Sequence, residues 1–213
     1  MKKNKPTAVL ALVLFAVAGF LVWRQMAGPR VNLKPSAAVG EVLAEECARL
    51  LGGNGTLVLI ARAPDRNASD ANSERIAAFQ AAMNLRKSPQ LAAVEWLPRP
   101  PRGQMDTGGV NEEQLVALVD QHPKATAFLI FAGLPPFSPE TMQKFAGRSL
   151  KLVVVCGYSA NLKRLLESKT VALAVVPRFS DLPAGTPAAK TSKDWFDQEF
   201  EILTPETVGR APY

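Results

Sequence analysis

Five polar side chains follow apolar runs of the sequence, at the points where those runs end. Guanidinium groups bind anions, and carboxylate, phenol and hydroxyl groups form hydrogen bonds with the hydroxyls of a small solute. In an open α/β sheet, ligands collect at the carboxyl ends of the strands. If this domain binds a small molecule, we therefore expect the ligand-binding residues to be Arg62, Asp65, Arg99, Tyr158 and Ser159.

Arginines recur in the same segments and could form a rim that attracts anions. Arginines near loops are more often solvated surface residues, and nothing in the spacing makes these side chains converge. The sequence alone therefore favours the surface interpretation over a shared anion site. The set consists of Arg62, Arg66, Arg99, Arg102 and Arg178.

The sequence carries no recognisable set of catalytic or metal-binding residues. Residues 157–161 resemble a nucleophile elbow, but Asn161 replaces the final glycine, and the only histidine, His122, precedes Ser159 instead of following it. One histidine with two distant cysteines gives no zinc site. We predict a non-enzymatic domain with no cofactor and no metal.

Five short runs of valine, isoleucine and leucine predict strands that are buried on both faces, because they lack polar alternation. Amphipathic segments separate these runs, and strands that alternate with helices form a parallel sheet with right-handed crossovers. The predicted strands are Thr56–Ala61, Ala92–Leu97, Ala125–Ala132, Leu150–Cys156 and Val171–Val176.

Helical periodicity predicts one helix before the first strand and one in each gap between strands. Helices on both faces of a sheet make three layers. We therefore predict an α/β domain over residues 36–178, three-layer and doubly wound, with a mainly parallel five-stranded sheet. The predicted helices are Ser36–Leu51, with Ser36 as N-cap, then Ser73–Lys87, Asn111–Gln121, Pro139–Ala146 and Ala160–Ser168.

The final segment, residues 179–213, is predicted to be a Pro-rich tail. Residues 179–193 are rich in Pro, Ala, Thr and Ser, which favours a path over the surface. Order is expected to return in residues 195–205, where the alternation of Phe200, Ile202 and Thr204 predicts a terminal edge strand.

The N-terminal segment, residues 1–24, predicts a single-pass membrane helix. Residues 7–23 form an uninterrupted apolar run behind three lysines, long enough at about 1.5 Å per residue to cross a bilayer core. A cleaved signal peptide is the alternative, because residues 16–18 resemble a cleavage site. The apolar run continues past that site, which favours a membrane helix that is not cleaved. Residues 25–35 would then be a tether, and the following domain would be periplasmic.

Most of the excess positive charge lies in that same segment. The net charge is +6, and Lys2, Lys3, Lys5 and Arg24 all fall within the first 24 residues, which contain no acid. The remainder is close to neutral, whereas a nucleic-acid binder needs a basic face on its folded domain. We therefore expect no nucleic acid among the partners.

Two cysteines, Cys47 and Cys156, stand far apart in the sequence. Cys47 falls on a predicted helix and Cys156 at the end of a predicted buried strand. Two buried thiols are favoured over a disulfide bridge, although an oxidising compartment leaves the bridge open.

From Ser73 onward, the order of features resembles the C-terminal lobe of the type I periplasmic binding proteins, the sugar-binding group. Residues 75–83 resemble the opening helix of that lobe, and residues 111–131 resemble its next helix and strand. Residues 152–178 resemble its strand–helix–strand close, and residues 200–208 its terminal strand. The resemblance implies a solute-binding fold.

Two departures from the family limit what the resemblance implies. The family closes two lobes over its solute, and this chain is expected to contain a single lobe, so tight capture would need a partner or a dimer. Residues 133–135 and 157–159 also replace a polar Asn or Asp of the family. We expect a membrane-anchored, extracytoplasmic, solute-binding-like module. The alternative is a structural or protein-interaction component of a cell-envelope assembly.

Overall fold

The computed structural model describes residues 18, 32–63, 70–86, 89–98, 109–178, 182 and 185–210. The chain divides into two compact units, Met1–Asn32 and Leu33–Tyr213. Within the described residues, no helix is both long enough and apolar enough to cross a membrane. The predicted membrane segment, residues 7–23, lies outside the described residues apart from Ala18.

Helices and strands alternate through the second unit. The helices are α1 (Lys34–Leu51), α2 (Ala71–Asn84), α3 (Glu112–Gln121), α4 (Pro139–Gly147), α5 (Ala160–Glu167) and α6 (Ser192–Glu199), with a final 3₁₀ turn at Val208–Arg210. The strands are β1 (Thr56–Arg62), β2 (Gln90–Leu97), β3 (Ala127–Ile130), β4 (Lys151–Val155), β5 (Val171–Pro177) and β6 (Phe200–Leu203).

The strands form one six-stranded sheet in the order β2-β1-β3-β4-β5-β6. The first five strands are parallel, and β6 pairs antiparallel with β5, with Ala174 opposite Leu203 and Pro177 opposite Phe200. The mixed α/β class and the mainly parallel sheet are therefore as predicted. The sheet has six strands, not five, because the terminal edge strand joins it.

The order of the strands decides which face each helix covers. The crossover through α2 leads from β1 outward to β2, whereas α3 leads back across β1 to β3, and α4 and α5 continue in that second direction. Right-handed crossovers that run in opposite directions lie on opposite faces of a sheet. Accordingly, α3, α4 and α5 pack on one face, and α1, α2 and α6 pack on the other.

Alternate residues of each central strand supply the two cores. Val58, Phe128 and Val154 face α3–α5, whereas Leu59, Leu129 and Val153 face α1, α2 and α6. All six side chains are fully buried. This arrangement explains why the central strands are continuous apolar runs, since both of their faces are covered.

The two ends of the domain differ from the predicted bounds. Helix α1 begins at Lys34, with Leu33 as N-cap and Pro35 in the first turn, so the prediction of Ser36 as N-cap is wrong. Proline is well suited to a first turn because its φ is preset and no N–H is lost there. Helix α6 was not predicted at all, and its Phe196 is 3% exposed in the core.

Candidate functional site

The strand order contains a switch point between β1 and β3. The chain leaves β1 over one face of the sheet and leaves β3 over the other, so the two crossovers diverge at the carboxyl ends of these strands. Ligands of open α/β sheets bind at such a point. The carboxyl edge of β1, β3 and β4 is therefore where we place the candidate site.

A close contact of two backbones shapes this edge. Gly109, just before α3, forms an isolated parallel bridge with Gly133, just after β3, and the Val110 amide donates to the Gly133 carbonyl at 3.2 Å. A Cβ on Gly109 would lie 3.0 Å from the Gly133 oxygen. The segment entering α3 thus lies beside the end of β3 because neither residue has a side chain.

A small cavity of about 180 Å³ opens between the ends of β3 and β4 and the start of α5. A cavity of this volume is below the usual size of a drug-sized ligand site, so a larger ligand in it would extend beyond it at the open edge. The lining residues are Gly133, Leu134, Cys156, Gly157, Ser159, Asn161 and Leu162.

Of the five predicted ligand-binding residues, Ser159 lines this cavity. Its Oγ also caps α5 by accepting the Leu162 amide at 3.1 Å. Tyr158 is half-buried against the core under α3–α5, and Arg62 is the last residue of β1 on the same edge. Asp65 and Arg99 lie outside the described residues, and the five-residue assignment stays a prediction.

The groups with the potential for chemistry do not converge at the cavity. Burial raises the pKa of the Cys156 thiol to about 11, so the thiol is not an activated nucleophile at neutral pH. His122 ends α3 at the opposite edge, where its Nε2 lies 2.8 Å from Oε1 of Glu95. No group of three metal-ligating side chains occurs among residues 32–63, 70–86 and the other described segments.

Both cysteines are free thiols. Cys47 lies in the core beneath α1, and Cys156 packs against the core on the opposite face of the sheet. Burial, with a smaller contribution from Glu46, raises the pKa of the Cys47 thiol to about 12. The interpretation of two largely buried thiols agrees with this arrangement.

One polar residue near the end of β3 was not among the predicted ligand-binding residues. Arg75, on the first turns of α2, places its guanidinium carbon 5.9 Å from the ring centroid of Phe131, which directly follows β3. The sequence did carry a signal for it. Arg75 precedes the fully buried Phe79 by four residues and therefore stands on the buried stripe of its helix.

A larger groove lies on the outer surface of α1, α2 and α6, away from the strand ends. Its volume is about 580 Å³, and Val42, Ala78 and Leu85 line it among charged side chains. Leu85 is 90% exposed. We do not choose this groove as the candidate site because it is open surface between helices, whereas the edge cavity lies at the carboxyl ends of parallel strands, where open α/β sheets bind ligands.

No protein-family model matches this chain, and no curated protein matches it. Solved structures do match its fold. An arabinose-binding protein, AraP from Geobacillus stearothermophilus, has a TM-score of 0.57 at 14% identity, covering 84% of this chain and 63% of that protein. GanP, a glucose-galactose binding protein from the same organism, has a TM-score of 0.53 at 12% identity, covering 80% and 60%.

A putative LacI transcriptional regulator from Bacteroides fragilis is similar to the same degree, with a TM-score of 0.53 at 13% identity, covering 83% of this chain and 62% of that protein. The chain thus spans about three fifths of the length of the structures it matches. Its described part holds one sheet of the periplasmic-binding-protein type. The resemblance to a single lobe of the type I periplasmic binding proteins is therefore confirmed at the level of the fold.

Proposed function

We propose that this chain is a membrane-anchored, extracytoplasmic module that binds a small sugar-like solute at the carboxyl edge of β1, β3 and β4. The observation that carries the proposal is the cavity of about 180 Å³ at that edge, lined by Ser159 and by backbone of Gly133 and Gly157. Structures with this fold include proteins described as binding arabinose and as binding glucose and galactose.

Two features support binding without chemistry. The thiol beside the cavity has a raised pKa, because it is buried, and is therefore a poor nucleophile. His122, the only histidine of the sequence, lies beside Glu95 at the C-terminal end of α3 and not at the cavity. Exchange of solute with no bond made or broken is the function that fits such a site.

Anchoring and periplasmic location rest on the sequence alone. The apolar run of residues 7–23 behind three lysines supports a membrane helix with an inside N-terminus. An open lobe on a tether would then present its strand ends to solute, and to a second lobe or copy that completes the enclosure.

Thermal unfolding of the full chain in mild detergent, with a panel of sugars, tests the proposal. A solute at a hundred times its dissociation constant stabilises the fold by about 2.7 kcal/mol. We expect at least one sugar to raise the melting temperature reproducibly. If the chain unfolds cooperatively and no sugar changes its melting temperature, the result would count against solute binding. It would favour the alternative of an envelope-protein interaction module.

A matched pair of glycine variants locates the site. No heavy atom lies within 4 Å of a Cβ placed on Gly157 or on Gly147, so each position accepts a side chain without a clash. Gly157→Leu should fill the edge cavity and abolish the sugar-dependent shift, while Gly147→Leu, at the end of α4, should preserve it. Equal shifts in both variants would place the solute elsewhere.

A further inference from the structure

The two edge strands of the sheet differ in length and charge. At one edge, β6 has four residues and carries Glu201. At the other, β2 has eight residues, and its single charged side chain, Glu95, lies 2.8 Å from Nε2 of His122. Among the described strands, β2 pairs with β1 alone. Natural edge strands are usually short or carry lysine or proline, so β2 has an edge that is unusually open to a further strand.

The backbone of β2 directs hydrogen-bonding groups away from the sheet. The Leu97 carbonyl accepts the Ala63 amide at 3.3 Å, so the backbone of Leu97 faces β1. The register with β1 is regular from Ala93 to Leu97. Successive residues of a strand direct their N–H and C=O groups to opposite sides, so those of Val94 and Trp96 point outward. Two donors and two acceptors thus stand in the spacing that an extended chain matches.

An open pocket of about 330 Å³ lies beside this edge, between the start of β2 and the turn that follows α3. Val58, Ala92, Pro123 and Ala125 give it an apolar lining. Its volume is at the lower end of the range for ligand sites. Ala92 is exposed and has only a methyl group. A long apolar side chain on a strand outside β2 would therefore reach the pocket by passing over Ala92.

The charges beside the pocket distinguish between possible partners. Lys124 is exposed, lines the pocket and forms no ion pair with any carboxylate of the described residues. An acidic side chain on the added strand would meet this ammonium group. A second copy of β2 offers only Glu95, which His122 already contacts. Charge complementarity thus favours a different chain over a second copy.

We propose that the outer edge of β2 and this pocket bind an extended segment of another protein as an additional strand, with an apolar side chain in the pocket and an acidic side chain beside Lys124. In such complexes, backbone hydrogen bonds give affinity and side-chain pockets give specificity. Trp96, which is 45% exposed, shares the opposite face of β2 with Val94 and offers its ring to a β-branched residue of the partner.

This surface is separate from the candidate solute site. The pocket includes Thr56 and Val58 at the start of β1, whereas the solute cavity lies at the carboxyl ends of β3 and β4. The inference therefore goes beyond the proposed function, and binding of a peptide does not depend on binding of a sugar.

Selection from a library of random decapeptides displayed on phage, with the full chain in mild detergent as bait, tests the proposal. We expect the enriched peptides to combine β-branched residues at alternate positions with one long apolar residue and one acidic residue. Fluorescence anisotropy of synthetic copies then measures their affinity. A library with no enrichment over detergent micelles alone would overturn the proposal.

Two variants of β2 locate the peptide. Val94→Pro removes one outward N–H, and an edge strand tolerates proline at such a position, so the variant should fold. It should weaken binding by about 10-fold or more, because a backbone hydrogen bond is lost and the ring stands in the path of the added strand. Ala92→Trp should fill the pocket and also weaken binding. If Val94→Pro does not fold, Ala92→Trp decides, and peptides that bind it as tightly as the wild type would overturn the proposal.

Charge variants test the acidic partner. Lys124→Glu should lower the affinity for the acidic peptides by about 2-fold to 5-fold, the range of an exposed ion pair. Lys163→Glu makes the same change on α5, away from the pocket, and should leave the affinity unchanged. Equal affinities in these two variants would overturn the acidic assignment.

Sedimentation of the chain in mild detergent separates a second copy from another protein at this edge. The wild type and Val94→Pro should have the same mass. A wild-type dimer that Val94→Pro converts to a monomer would overturn the proposal in favour of a second copy.

Discussion

The two ends of the sheet treat their polar groups differently. At the amino-terminal end, the amide of Thr56 donates to Oγ1 of Thr126 at 2.9 Å, and that hydroxyl donates back to the Thr56 carbonyl at 3.1 Å. The Lys151 ammonium donates to the Leu50 carbonyl at 2.6 Å, which connects α1 to β4. These side chains satisfy backbone groups where helices and strands meet.

At the carboxyl-terminal end, buried polar atoms remain without partners among the described residues. They are Oγ of Ser73, Nε of Arg75 and Nε of Arg178. Each such atom in a native structure needs a physical explanation, because an unmet buried donor costs about 1–3 kcal/mol. The difference teaches that, within the described residues, side chains at the amino-terminal end add hydrogen bonds to the fold, whereas these three atoms at the carboxyl-terminal end add none.

The largest expected effect concerns the contact that holds α2, and with it Ser73 and Arg75, against α1. A Cβ on Gly40 would lie 2.3 Å from the Arg75 carbonyl oxygen and 2.7 Å from the Phe79 amide nitrogen. Because these are backbone atoms, Gly40→Ala must push the helices apart. We expect a loss of about 3 kcal/mol in the free energy of unfolding, measured by urea denaturation.

Gly147→Ala is the control for Gly40→Ala. Its Cβ would meet no heavy atom within 4 Å, so we expect no loss of stability and a gain of up to about 1 kcal/mol from reduced backbone entropy. A Gly40→Ala protein as stable as the Gly147→Ala protein would show that α1 and α2 are not held at this distance.

The second effect concerns the amino-terminal end. Thr126→Val keeps the shape of the side chain but removes both hydrogen bonds with Thr56. Because Thr126 is exposed, water replaces part of what is lost, and we expect a decrease of about 1 kcal/mol in the free energy of unfolding. Urea denaturation measures it. An unchanged urea midpoint in Thr126→Val would mean that the hydrogen bonds of the Thr126 side chain add no stability to this end of the sheet.

The sequence predicted the elements that are buried on both sides. The runs in β1, β4 and β5 consist almost wholly of apolar residues, and only a strand covered on both faces has that composition. The edge strand β6 was predicted from alternation. Helix α6 was not predicted, because Trp195 and Phe196 are its only large apolar residues and show no period. The Thr191–Asp194 capping box was the signal available for it.

The candidate site was less predictable than the fold. Position after a strand selected Ser159, which does line the cavity, since strand ends share one edge in any parallel sheet. The same rule gave no reason to choose Arg75, which lies on a helix. Whether an arginine is paired depends on contacts between distant segments, here α2 with the end of β3, and periodicity shows only that the position is buried.

The third prediction concerns Ser73 at the carboxyl-terminal end. Its Oγ is buried with no partner in the described chain, although its amide is capped by Asp70 at 2.6 Å. Ser73→Ala removes an unmet polar atom and favours the helix, so we expect no loss of stability and a gain of up to about 1 kcal/mol. Urea denaturation beside Thr126→Val measures the contrast, and a loss as large as that of Thr126→Val would erase the difference between the two ends.

The smallest expected effect concerns the Glu112 carboxylate, a polar group at the carboxyl-terminal end that does have hydrogen-bond partners. The Glu112 carboxylate accepts from the Ser138 hydroxyl at 2.7 Å and from its amide at 2.9 Å, and connects the start of α3 to the start of α4. The Ser138 hydroxyl, then the Thr141 hydroxyl and the Ser138 amide, lower the pKa of Glu112 below its ordinary value of 4.5.

A carboxyl whose pKa is lower in the folded than in the unfolded state contributes stability above the unfolded value, and this contribution is lost as the pH falls through the folded value. The difference in unfolding free energy between the wild type and Glu112→Gln should therefore be present at pH 7 and shrink below about pH 4.5. Glu113→Gln removes a carboxylate from the exposed neighbouring position and serves as the control. Parallel urea denaturation at pH 7 and at low pH measures both variants. A difference that persists at low pH would show that Glu112 acts through its shape and not through its charge.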